Sequence, residues 1–96
     1  MKVKHNTAPN ILFRAAEIME ERGKQYDSEG GERSMGRTVA AFNVITGNAL
    51  KESDGWLLLQ LLKDVRDRQT EAAHPDSLED CVAYAALKAE ARLQGS

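Results

Sequence analysis

The chain has 96 residues, 13 of them basic and 15 acidic, for a net charge of −2. That length suits one domain with a thin core, for which self-association is a ready way to bury more apolar surface. The near-neutral balance excludes a global basic field, so nucleic acid is not an expected partner; 42% hydrophobic and 29% charged residues exclude a disordered chain.

Apolar residues recur at helical spacing, and no alternating Val/Ile/Thr run marks a strand. The expectation is therefore a single all-α domain, a compact bundle of about four helices ordered over about residues 8–93. The first helix is predicted to start near Thr7, whose hydroxyl can cap it, with Pro9 in the first turn. Ile11, Leu12, Ala15, Ile18 and Met19 share a face, and Gly23 is the expected stop. Residues 23–33 read as a loop around Asp27, Ser28, Gly30 and Gly31.

Ser34 is the predicted cap of a second helix that carries Met35, Val39, Phe42 and Ile45 and ends at Gly47. The third helix begins at Lys51 or Ser53, with Asp54 placed to suit the helix dipole. Its Trp56, Leu57, Leu58, Leu59, Leu61, Leu62 and Val65 form a stripe broad enough to predict burial on two sides, as a central helix or in a dimer interface. Trp56 is expected to pack rather than to stack on a base. Thr70 to Pro75 is a polar break, after which Asp76 and Glu79 read as a capping box for the fourth helix. That helix carries Leu78, Cys81, Val82 and Ala85 to about Leu93, leaving Gly95 and Ser96 frayed.

The longest apolar run, Trp56 to Leu59, is far too short to span a membrane, and Met1-Lys2-Val3-Lys4-His5 lacks the apolar run of a signal peptide. Cys81 is the sole cysteine and has no internal disulfide partner, which points to a reducing cytoplasm. Its apolar neighbours predict a buried thiol rather than a nucleophile.

Three constellations carry potential chemistry. Glu17, Glu20 and Glu21 on the first helix, and Asp76, Glu79 and Asp80 on the fourth, are spaced to share helical faces. Hard carboxylate oxygens of this kind suit Mg²⁺ shared with substrate phosphates; the same residues also serve as ordinary caps and solvated faces. The second is the segment from Tyr26 to Arg37, where Gly30 and Gly31 allow close backbone approach. There Ser34 opens a helix whose free N–H groups favour an anion, and Arg33 and Arg37 offer forked donors to phosphate. It lacks the Lys-Ser/Thr ending of a P-loop, and a turn followed by a capped helix with surface arginines accounts for it equally. The third is Lys63-Asp64-Val65-Arg66-Asp67-Arg68, with Lys63–Asp67 and Asp64–Arg68 as candidate i,i+4 ion pairs. Lys63 and Arg66 can also reach a phosphate from one face. His5 and His74 lack zinc-ligand spacing, and no Ser-His-Asp or Cys-His signature is present.

Asp76 to Leu87 resembles the last helix of small phage and prophage proteins related to the MazG-like nucleoside triphosphate pyrophosphohydrolases. Glu32 to Met35, Ala41-Phe42-Asn43, Ile45-Thr46-Gly47, Gly55-Trp56, Leu62-Lys63 and Arg66 resemble the same group, and the likeness covers roughly residues 11–92. The resemblance implies an oligomeric helical bundle in a bacterial cytoplasm. It implies a nucleotide or cyclic nucleotide as ligand and, in active members, E-x-x-E and E-x-x-D pairs that hold Mg²⁺ against phosphates.

Asp76-x-x-Glu79, with Asp80 beside it, can stand for the later pair. Lys63-x-x-Arg66 stands where the earlier acidic pair is expected, and Glu17-x-x-Glu20 lies farther upstream. Two readings follow. In the first, Glu17, Glu20, Asp76 and Asp80 hold Mg²⁺, and Asp80 or Glu79 activates water. In the second, catalysis is lost and the chain binds a nucleotide, or a host protein, to the phage's benefit. A structural oligomer without a ligand is the plain alternative.

Overall fold

The computed structural model of the chain describes residues 6–26 and 34–96, and among these it holds four helices and no strand. They are α1 (Ala8–Tyr26), α2 (Met35–Thr46), α3 (Glu52–Arg68) and α4 (Pro75–Leu93). They pack as a compact bundle in which α3 and α4 share the largest interface; α1 lies on α4, and α2 lies on α3. None of the helices is long and apolar enough to cross a membrane.

The helix boundaries follow local chemistry with three corrections. Gly23 does not end α1, which runs on to Tyr26; one glycine costs a helix only about 1 kcal/mol. Asp76 is not the cap of α4. Pro75 takes the first helical position, where its missing N–H is harmless, and His74 in extended backbone becomes the cap. Gly95 and Ser96 do not fray: Gly95, at φ 82°, lets Ser96 N–H donate to the Ala91 carbonyl at 2.8 Å, while Gly95 N–H donates to Arg92. Ser96 carbonyl then accepts from Ser53 N–H and Oγ, joining the end of α4 to the start of α3.

Two further signals hold, at Gly47 and Asp54, whereas Ser34 precedes α2 without a side-chain cap bond and Leu12 of the expected α1 face is exposed. Gly47 adopts φ 74° after α2. Asn43 clamps the following turn with its amide, donating to the Leu50 carbonyl and accepting from Leu50 N–H, both at 2.9 Å. Asp54 accepts from Lys51 N–H at 2.8 Å and so fixes the start of α3.

The buried face of α4 follows a three-four spacing through Ser77, Asp80, Tyr84, Leu87 and Ala91, with Ala83 beside it. Trp56 of α3 lies against this face, 2% exposed, with its ring 5.8 Å from that of Tyr84 and inclined by 24°. Its indole N–H donates to Glu52 at 3.2 Å, so the one polar atom of the ring keeps a partner. Met19, Met35 and Leu59 close the cluster around Trp56, Tyr84, Leu87 and Ala91.

Helix α2 reaches α3 at Gly55, where an added Cβ would meet the Met35 side chain and come within 2.9 Å of a Val39 methyl. Gly55→Leu is therefore expected to push α2 off α3 and lose about 1–3 kcal/mol of stability in urea unfolding followed by circular dichroism. An unchanged midpoint would contradict this packing.

Among the described residues the two-sided burial expected of α3 is met only in its first turns, where α4 lies on Trp56 and α2 on Gly55. Trp56, Ser53 and Gly55 are buried, but Leu57, Leu58, Leu61, Leu62 and Val65 remain 40–66% exposed.

Candidate functional site

Asp80 sits in the middle of the apolar face of α4 and is 9% exposed. A carboxylate in that position needs partners, because an unpaired buried charge is strongly unfavourable. Two cations supply them: Lys63 Nζ of α3 lies 3.0 Å from Oδ2, and Arg22 Nη2 of α1 lies 3.3 Å from Oδ1. Three helices thus each bring one charge to one point. The Arg22 guanidinium also lies 6.0 Å from the centre of the Tyr84 ring, which links the charged cluster to the aromatic core.

Arg22 was not among the sequence candidates. The available signal was complementary charge: Arg14 and Arg22 lie two helical turns apart on α1, and the acids Glu79 and Asp80 are adjacent on α4. Arg14 takes Glu79, with Nε donating to Oε2 at 2.6 Å and the Glu79 side chain 12% exposed. Lys63 reaches across to Asp80, and Asp67 instead accepts from His74 N–H at 2.8 Å. The Asp64–Arg68 pair forms at 3.2 Å on the surface, where it contributes little.

The other candidates do not join this cluster. Glu17 and Glu20 are exposed on α1, and Asp76 is exposed in the first turn of α4. Among the described residues no three His, Cys, Asp or Glu side chains are placed to hold a metal ion. Asp80 has one cation on each carboxylate oxygen, so a Mg²⁺ ion would have to displace Lys63 or Arg22 to reach it. Ser34, Arg37 and Arg66 are exposed, and Ser34 makes no side-chain cap bond to α2. Arg33 lies outside the described residues, as does most of the loop from Tyr26 to Arg37 that was expected to approach an anion.

Two further groups have the atoms for chemistry but a different task. His74 Nδ1 lies 2.6 Å from Ser77 Oγ and accepts from Ser77 N–H at 3.3 Å. A serine beside an imidazole can begin a nucleophilic pair, yet Ser77 is 2% exposed and the imidazole serves as the cap of α4. Cys81 is partly buried, and its thiol faces the Gln60 carbonyl at 3.6 Å. Burial, with the charge of Asp64 behind it, pushes the thiol above its ordinary pKa. Little thiolate is present at neutral pH, so Cys81 is expected to alkylate with iodoacetamide several-fold more slowly in the folded chain than in urea. Equal rates would contradict the burial. By linkage the raised value stabilises the fold below the unfolded thiol's pKa of about 8.5, and this is lost as pH rises through the folded value.

What the arrangement can do is hold one negative group between Lys63 and Arg22, beside an aromatic ring. Asp80 is that group in the free chain. No family model, curated protein or solved structure matches the chain.

Proposed function

We propose that the chain is a MazG-like, phage-type nucleotide-binding protein that captures a nucleotide through its phosphates without hydrolysing it. The observation that carries this reading is the pairing of Asp80 with both Lys63 and Arg22. In a Mg²⁺-dependent pyrophosphohydrolase the corresponding carboxylate has to face a cation shared with substrate. Here two fixed cations already occupy both of its oxygens. The same two cations are suited to a phosphate that displaces Asp80 from them, since a guanidinium offers a planar fork and an ammonium a compact charge. Lys63 belongs to the Lys-x-x-Arg that replaces the family's earlier acidic pair, and the loss of that pair agrees with binding that has outlived catalysis.

The test is calorimetric titration with mono-, tri- and cyclic nucleotides, with and without Mg²⁺, followed by analysis of each mixture for product. Binding that does not require Mg²⁺, with the ligand recovered intact, is the expected result. Mg²⁺-dependent release of pyrophosphate would overturn it in favour of a hydrolase. Absence of binding across the panel would overturn both readings and leave a host protein as the target.

A further inference from the structure

A pocket of about 270 Å³ opens between the first half of α1 and the first turn of α4. It is separate from the Lys63–Asp80–Arg22 cluster, none of whose members lines it. Ile11 of α1, Pro75 and Leu78 of α4, and Ala73 of the link before α4 give it an apolar wall, and Asn6 adds an amide. Ile11 and Arg14 lie one turn apart on α1, as do Pro75 and Glu79 on α4, so the helix repeat turns both sets towards one space.

The polar part of the wall is the Arg14–Glu79 ion pair, in which Nε donates to Oε2 at 2.6 Å. Ligand pockets combine an apolar lining with a few placed polar groups in this way. The bond engages one of the five N–H groups of the guanidinium and one of the two carboxylate oxygens. Among the described residues neither side chain makes another hydrogen bond, which leaves the Nη fork of Arg14 and Oε1 of Glu79 for a ligand.

From this pocket we infer that the chain binds a free α-amino acid with an aliphatic side chain. The paired charges choose the ligand. A simple anion that reaches Arg14 meets the like charge of Glu79 beside it, and a simple cation that reaches Glu79 meets Arg14. A zwitterion meets neither conflict. Its carboxylate takes the free fork of Arg14, its ammonium donates to Glu79, and its side chain lies against Ile11, Ala73, Pro75 and Leu78. Size agrees, since the pocket falls just short of the roughly 300–1,000 Å³ that drug-sized ligands occupy. Leucine suits it better than a nucleotide, and the inference does not rest on the nucleotide reading.

The test is titration of L-leucine into the ¹⁵N-labelled chain, followed through its amide resonances. Saturable shifts centred on Ile11, Arg14, Leu78 and Glu79 are expected, with a dissociation constant below about 1 mM. Leucinamide lacks the carboxylate and 4-methylpentanoate lacks the ammonium, so each should bind at least about tenfold more weakly. Arg14→Gln should weaken leucine by a similar factor, but it also removes an ion pair between α1 and α4. Ala73→Trp keeps that pair and fills the pocket from an exposed position of the link, so it should abolish binding with the helical spectrum unchanged. No shift with leucine up to about 10 mM overturns the inference. Either analogue binding as tightly as leucine overturns recognition by the ion pair. Leucine binding undiminished in Ala73→Trp overturns the site.

Discussion

Replacing Trp56 by alanine is expected to cost about 3–5 kcal/mol, the range for emptying a buried aromatic site. Net stabilities of small domains are about 5–15 kcal/mol, so the variant should be largely unfolded near body temperature. Trp56 is the chain's sole tryptophan, is 2% exposed, and stacks with Tyr84 in the cluster that joins α3 to α4. Its removal opens the largest interface of the bundle, and the neighbours cannot collapse to fill the space. It also strips Glu52 of the indole N–H that it accepts. Urea unfolding followed by far-ultraviolet circular dichroism measures the loss. Trp56→Phe keeps a stacked ring and should retain more than half of the stability. A Trp56→Ala variant within about 1 kcal/mol of wild type would mean that the α3–α4 packing is wrong.

The second large effect concerns Asp80. Asp80→Asn keeps the side-chain shape but removes the charge that Lys63 and Arg22 share. Under the proposed function those two cations then meet phosphate without competition from the Asp80 charge. Affinity for a nucleoside triphosphate in the absence of Mg²⁺ should rise about tenfold, or about 1.4 kcal/mol. Stability should fall at the same time, because two partly buried cations lose the charge of Asp80. Complete removal of a buried partner costs about 3–5 kcal/mol. Lys63 and Arg22 retain 16% and 27% side-chain exposure, so solvent offsets part of that loss here. Calorimetry on the folded variant separates the two effects. A metal-bridged hydrolase gives the opposite outcome, since the same substitution removes a ligand and lowers both binding and turnover. Weaker Mg²⁺-free binding by Asp80→Asn would sink the proposal.

The sequence carried the helices further than the site. Local signals acted at Gly47, which ends α2, and at Asp54, which fixes the start of α3, and the apolar spacing of α3 and α4 marked which residues share a face. The local signals failed where two of them competed. Pro75 displaced Asp76 from the cap of α4 because a proline favours the first helical position. Gly23 was overridden because one glycine is a small cost in a helix of 19 residues. Gly95 and Ser96 were held by Ala91, Arg92 and Ser53, and the contact to Ser53 spans 43 positions of the chain.

Composition and periodicity by themselves determined an all-α bundle of four helices, an α3 with more apolar surface than one neighbour can cover, and a packed Trp56. These follow from short-range physics: the turn repeat, the cap and the hydrophobic face. The tertiary structure alone decided what the charges do. Lys63 had an acidic neighbour four residues on and Asp80 had others beside it, so spacing along the chain favoured pairs within each helix. Packing placed Asp80 on a buried face, where a carboxylate has to find cations at once, and the nearest ones came from two other helices. A partner chosen by burial lies 58 positions away at Arg22 and 17 at Lys63, separations at which helical periodicity carries no information.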